Sequence, residues 1–176
     1  MQKLSWSQIN PTQTNVQDTQ SSVALLFSGG RDSSLSACLL ATAGKQIHLL
    51  SFIDGIGVKS EISDFRVQEL KERFPENIIE RVKLPIFGLF RSIAIRNIES
   101  DFDKYKKNLV LLGDKLAMQT AAIVFCLQNS ISTIADGSAQ YQSNLAEQMP
   151  GALTEFRLFQ QEYGIKYLNR VWPRSL

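Results

Sequence analysis

The chain has 176 residues, 44% of them hydrophobic and 20% charged, with a formal net charge of +2 at pH 7. That length and balance point to one globular domain with its own core, so disorder is not the default reading. A net charge this small names no polyanionic partner.

Residues 1–22 are rich in Gln, Ser, Thr and Asn without a steady period. They read as a polar arm, with Trp6 as a docking anchor, ahead of a domain over residues 23–176. The arm has no apolar stretch of the kind a secretory signal needs. No run of about 18 apolar residues is apparent, so no membrane-crossing helix is expected. Cys38 and Cys126 stand 88 positions apart, which gives neither a disulfide framework nor a CxxC metal pair. A cytoplasmic location is the expectation.

From Val23 the pattern becomes regular. Val23–Phe27 is a continuous apolar run, as a strand buried on both faces of a parallel sheet requires. Ser33–Ala43 reads as a helix, with Leu35, Cys38, Leu39 and Thr42 at helical spacing, Asp32 or Ser33 to cap its start and Gly44 to end it. Gln46–Asp54 is a second strand. Ser60–Phe74 is an amphipathic helix with Ile62, Phe65, Val67 and Leu70 inward, stopped at Pro75. Asn77–Pro85 is a third strand, and 86–108 are poorly periodic, as short helical pieces would be. Leu116–Asn129 is a helix, Ser132–Asp136 a fourth strand, Leu153–Tyr163 a helix closed by Gly164, and Lys166–Trp172 a last strand stopped by Pro173. Strands alternating with helices predict an α/β fold: a doubly wound, parallel five-stranded sheet with helices on both faces. Ligands bind such sheets at the carboxyl ends of the strands, and three of these strands end in polar or glycine-bearing turns, FSGGRDSS, FIDG and IADG.

The first of those turns is denser in donors than a structural turn needs. A helix start exposes amides without intrahelical acceptors and carries about half a positive charge. Gly29 and Gly30 let the backbone turn with positive φ and approach a ligand closely, and Ser28, Ser33 and Ser34 add hydroxyls. The combination is an anion cradle suited to phosphate. Asp32 fits there either as a helix cap or as a carboxylate that shares Mg²⁺ with phosphate oxygens, and the two roles are compatible. Neither a Walker A loop nor a G-x-G-x-x-G turn is present.

SGGRDSS between an apolar strand and a helix resembles the pyrophosphate loop of the N-type ATP pyrophosphatases, the PP-loop superfamily. Among its members are GMP and NAD synthetases, asparagine and argininosuccinate synthetases, tRNA thiolases and 7-cyano-7-deazaguanine synthase. Residues 111–137 (LLGDKLAMQTAAIVFCLQNSISTIADG) resemble the long helix and fourth strand of the thiolase and deazaguanine-synthase branch, the latter a step of queuosine synthesis. The resemblance implies a HUP or adenine nucleotide alpha hydrolase-like fold, with ATP and Mg²⁺ as cofactors. Ser28, Gly29, Gly30, Asp32, Ser33 and Ser34 would hold the β,γ-pyrophosphate, and Asp32 would help position Mg²⁺. Leu26, Phe27 and the strand end Phe52–Ile53–Asp54 would flank the adenosine. Asp136–Gly137 would sit near the α-phosphate or the acceptor, with Asp136 as a second Mg²⁺ contact. Lys115 is either a neutraliser of departing pyrophosphate or a surface lysine. Asp32, Ser33, Lys115 and Asp136 are thus the candidate catalytic residues.

The implied reaction adenylates an acceptor (a carboxylate or carbonyl of a small molecule, nucleobase or tRNA) and releases pyrophosphate, as in ligase-type amidation. Positioning and charge do the stabilising. The lone histidine, His48, lies in an apolar strand and reads as a core residue, which disfavours a Ser-His-Asp hydrolase. The cysteines of the thiolase branch are absent from Leu111–Lys115, so sulfur transfer is not expected. With four residues after Trp172, the acceptor is expected to be read by the bare domain, by Tyr141–Pro150, by a homodimer mate or by a partner chain. Between Arg81 and Lys115 lie eight Lys/Arg residues against four acids, a stretch that reads either as a phosphate or RNA contact or as a solvated connection. The alternative to an enzyme is a non-catalytic nucleotide-binding module serving as a regulatory or partner subunit. No membrane partner is expected.

Overall fold

Three stretches of buried aliphatic residues set the frame. In the computed structural model, which describes residues 22–55 and 61–169, the strands β1 (Ser22–Leu26), β2 (Gln46–Ile53), β3 (Ile78–Pro85), β4 (Thr133–Asp136) and β5 (Lys166–Asn169) form one sheet in the order β3-β2-β1-β4-β5. Every pairing is parallel. The predicted five-stranded α/β fold is therefore borne out. Residues 1–21 of the arm, with Trp6, residues 56–60, with the predicted helix start at Ser60, and the end of the last predicted strand, with Pro173, lie outside the described residues.

β1 is buried along its whole length, so alternate side chains serve two cores. Val23, Leu25 and Phe27 pack with Ala37, Leu40 and Ala41 of α1 (Arg31–Thr42) and with Val67 and Leu70 of α2 (Glu61–Arg73). Ala24 and Leu26 face the other way, against Ala122, Ile123, Phe125 and Cys126 of α5 (Val110–Gln128). The chain winds outward from β1 to β3, and α5 carries it back across to the far side of β1. This leaves a topological switch point between β1 and β4, where ligands of open α/β sheets bind.

Between β3 and α5 the chain forms α3 (Phe87–Phe90), a π-turn over Arg91–Ile95 and α4 (Ile98–Tyr105). These are the expected short helical pieces. Ile86, Phe90, Ala94 and Ala117 make a third, smaller core there. After β4 come two single 3₁₀ turns, Gln140–Gln142 and Ala146–Gln148, then α6 (Pro150–Gln161).

Several details depart from the sequence reading. α1 buries Ser33, Ser36, Ala37, Leu40 and Ala41, while Leu35 and Leu39 are 48% and 41% exposed. The small side chains let the helix lie close to the sheet, and Ser36 Oγ donates to the Asp136 carbonyl at 3.2 Å. In α2 the inward face is Ser63, Val67 and Leu70, and Ile62 and Phe65 are exposed. α5 starts six residues earlier than predicted, with Asn108 Oδ1 accepting the Val110 N–H at 2.9 Å. α5 is also long and apolar enough, by length and composition, to cross a membrane, contrary to the sequence expectation. Here it packs on the sheet and buries Ala117, Gln119, Ala122, Ile123, Phe125 and Cys126. Gly44, in contrast, ends α1 as predicted: with φ +73° it lets its own amide and that of Lys45 bond back to Ala41 and Leu40.

Candidate functional site

The residues between β1 and α1 turn sharply. Gly29 has φ +79°, the left-handed region that favours glycine. Gly30 is extended, with φ −73° and ψ 173°, so only one of the two glycines uses positive φ. Ser28 Oγ accepts the Gly30 N–H at 3.3 Å and lies 3.2 Å from Ser33 Oγ, while the Ser33 hydroxyl donates to the Gly30 carbonyl at 3.2 Å. No side chain caps α1. The cap expected of Asp32 or Ser33 is replaced by Gly30, because Asp32 accepts a hydrogen bond from the Tyr141 hydroxyl and Ser33 is bonded back into the loop. The first-turn amides of α1 thus keep no intrahelical acceptor.

This turn opens onto a cavity of about 1040 Å³ at the carboxyl edge of the sheet. Of the predicted residues, Leu26, Phe27, Ser28, Gly30, Asp32, Ser33, Phe52, Ile53, Asp54, Lys115 and Gly137 line it. Gly29 is buried beneath the turn, and Ser34 points its hydroxyl into the protein without a hydrogen-bond partner. Gly137 abuts the Asp32–Ser33 peptide: a Cβ there would sit 2.7 Å from the Ser33 nitrogen. The end of β4 and the head of α1 are therefore in backbone contact, a juxtaposition only glycine permits.

Asp136 lies under the cavity floor rather than in its wall. It is 1% exposed; its Oδ2 is 2.8 Å from Lys115 Nζ and accepts the Ser138 hydroxyl at 2.9 Å, and its Oδ1 accepts the Ser138 amide at 3.0 Å. Burial by itself would raise this carboxyl, but the Lys115 ammonium and the Ser138 hydrogen bonds outweigh it and hold the carboxyl below the usual carboxylate range. Lys115 stands in the second turn of α5, and its side chain is 15% exposed. Burial, followed by the Asp136 charge, pushes the Tyr167 phenol up.

Next to Lys115 in α5, the Asp114 carboxyl is pushed up to about 6 by burial first and then by the negative Asp54, with Lys115 pulling the other way and Glu147 adding to the rise. A folded-state pKa above the ordinary 3.8 contributes stability that is fully present below about 3.8 and lost as pH rises through about 6. Asp114→Asn is accordingly expected to flatten the change in urea midpoint between about pH 4 and about pH 8. An unchanged profile contradicts this.

Neither thiol lines the cavity. Burial pushes Cys126 up to about 12, so it is inert as a nucleophile, and Cys38 packs at the edge of the first core. His48 is not a cavity residue; its Nδ1 is 2.8 Å from Glu80 Oε1, and its ring lies 6.0 Å from that of Phe125. The basic stretch is divided by the fold. Arg81, Lys83 and Lys115 line the cavity, whereas Arg91, Arg96, Lys104, Lys106 and Lys107 are exposed on the short-helix region.

No protein-family model matches the sequence. No curated protein matches it either. Among solved structures, the chain is similar to a protein from Methanocaldococcus jannaschii described as a predicted subunit of tRNA methyltransferase. The TM-score is 0.56 at 18% identity, over 88% of this chain and 69% of that one. The likeness is one of fold.

Sequence reasoning placed Arg81 and Lys83 in the basic stretch and Gln148 in the acceptor segment, and it did not single out Ser51, Ser63, Asp64 or Met118; all seven line the cavity. The last four come from β2, α2 and α5, and no local motif marks them. Tyr141 fell within the predicted acceptor segment, but its bond to Asp32 spans 109 positions. A second cavity of about 680 Å³, mostly apolar, lies between α4 and the start of α5.

Proposed function

We propose that this domain binds ATP over the Ser28–Ser33 turn and cleaves it between the α- and β-phosphorus, adenylating an acceptor and releasing pyrophosphate. The observation that carries the reading is the uncapped head of α1, reached through the Gly29 bend, opening onto a nucleotide-sized cavity at the switch point. In this reading the Ser28 and Ser33 hydroxyls and the first-turn amides bind the β,γ-pyrophosphate. Phe27 and Phe52–Asp54 flank the adenosine.

Among the described residues no three His, Cys, Asp or Glu side chains gather as a metal cage. Mg²⁺ does not need one, since a single carboxylate and phosphate oxygens suffice. In this reading Asp32 is the carboxylate that would take Mg²⁺, on turning from Tyr141. Asp136, expected as a second ligand, gives its charge to Lys115 instead, and it holds that ammonium at the cavity wall. Bound Mg²⁺ would supply charge neutralisation on the phosphates.

An acceptor oxygen attacks the α-phosphorus, the bond to the bridging oxygen of the β-phosphate breaks, and pyrophosphate leaves with the two electrons. Lys115 lowers the cost of that departing charge. The acceptor, whether a small molecule, a nucleobase or tRNA, enters past Tyr141, Gln142 and Gln148. The tRNA-related description of the structural neighbour suits a nucleic-acid acceptor and a partner subunit.

In ligase-type chemistry an amine or ammonia then attacks the adenylated acceptor and AMP leaves, so incubation with MgATP, candidate acceptors and ammonium is expected to yield AMP and pyrophosphate in equal amounts. Asp32→Ala and Ser28→Ala should each lower that yield ~100-fold or more while leaving the denaturation midpoint nearly unchanged. Wild-type turnover in both variants would remove the site. The Tyr141 contact on Asp32 favours a second reading, a module that binds ATP without cleaving it. Tight binding with neither product supports that one.

A further inference from the structure

Arg81 stands on β3, with β2 between it and β1. Its side chain is only 14% exposed, and its guanidinium is bound to pieces of the chain far apart in sequence. Nε donates to Ser51 Oγ on β2 at 2.9 Å, Nη2 to Ser63 Oγ in the first turn of α2 at 2.5 Å, and Nη1 to the Asp64 carboxylate. The two serines then reach the loop from different sides. Ser51 donates its hydroxyl to the Phe27 carbonyl at 3.1 Å, immediately before Ser28. Ser63 is packed so closely against Gly29 that a Cβ on the glycine would lie 2.6 Å from Ser63 Cα.

We infer that Arg81 is a positioning residue for the turn at Ser28–Gly29: by holding Ser51 and Ser63 at once, it fixes the Phe27 carbonyl and the wall behind Gly29, and so the shape of the anion cradle. The inference rests on the nucleotide reading above. A planar fork of five donors can hold three oxygens in fixed mutual positions, and a lysine ammonium on a flexible stem cannot. Of the residues that flank the adenosine in that reading, Phe27 meets the clamp through its carbonyl, and its amide stays bonded to the Leu50 carbonyl at 2.8 Å without it. Phe52 and Ile53 keep their ladder partners Leu84 and Pro85, and the Ile53 carbonyl accepts the Ile86 amide at 2.9 Å. Loss of Arg81 should therefore loosen the grip on the phosphate tail and spare the nucleoside end.

The test is calorimetric titration of the full chain with magnesium pyrophosphate and, separately, with AMP. Arg81→Met is expected to weaken pyrophosphate binding ~10- to 100-fold while AMP binding is unchanged. Arg81→Lys should recover little of the loss. Should Arg81→Met fail to fold, Ser63→Ala removes one arm of the clamp and is expected to show a smaller fall for pyrophosphate alone. Equal pyrophosphate affinity in wild type and in the folded variants overturns the inference. So does a parallel loss for both ligands, which would make Arg81 a support of the fold. Wild-type protein that binds neither ligand overturns the nucleotide reading itself, and the role of Arg81 with it.

Discussion

Replacing Lys115 with methionine is expected to cost about 3–5 kcal/mol of stability at neutral pH, the usual penalty for breaking a buried ion pair from one side. Asp136 is 1% exposed, and its Ser138 hydrogen bonds would remain without the Lys115 ammonium to balance its charge. The pH profile makes the prediction specific. In the wild type the Asp136 carboxyl is held below its ordinary 3.8. Its contribution is therefore present above about pH 4 and lost as pH falls through the lower, folded-state value. Without Lys115, burial is the largest influence left, the carboxyl rises above 3.8, and stability should increase as pH falls toward that value. Urea denaturation at about pH 7 and about pH 4 reads both effects. The double variant Lys115→Met/Asp136→Asn should recover most of the loss, because no uncompensated buried charge remains. A single variant as stable as wild type at neutral pH would show that the pair is not formed.

Gly29→Ala is expected to combine two penalties in one position. An alanine at φ +79° costs on the order of 1–3 kcal/mol in backbone strain. Its Cβ would also meet Ser63 Cα at 2.6 Å and Ser63 Cβ at 2.8 Å. Backbone, not a flexible side-chain tip, must then move, so either α2 shifts or the turn does. Nucleotide-tail affinity should fall ~10-fold or more, because the cradle works by fixed amide positions. Gly44→Ala is the matched control, with φ +73° and nothing within 4 Å of the added carbon. It should lose stability, on the order of 1 kcal/mol, and leave ligand binding untouched. If the two variants bind equally well, the turn at Gly29 is not the cradle.

The contrast between these residues shows what was legible from the sequence. The loop, its strand and its helix could be read because all the parts lie within one short stretch, where glycines, hydroxyls and apolar periodicity coincide. The sheet could be read because β1, β2 and β4 are runs of buried aliphatics bounded by turn residues. The start of α5 could not. Gly113, Asp114 and Lys115 break its apolar period, and each does so for a tertiary reason. Gly113 packs within 2.7 Å of Ala94 Cβ in the sense that an added Cβ would meet it there, Asp114 shares its field with Asp54 and Glu147, and Lys115 pairs with Asp136. The outward leucines of α1 misled for the opposite reason. Large apolar residues suggest a core face, but close approach to the sheet required Ser33, Ser36 and Ala37. Arg81 was visible only as one charge in a basic stretch, since its serine partners lie 30 and 18 positions away.

The most direct measurement is a structure of the chain bound to Mg²⁺ and the α,β-methylene analogue of ATP, which cannot be cleaved between those phosphates. The account predicts the β,γ-phosphates within hydrogen-bond distance of Ser28, Ser33 and the first-turn amides of α1, with the adenine against Phe27 and Phe52–Asp54. An analogue that stays in solution, or that seats its phosphates away from the head of α1, contradicts it.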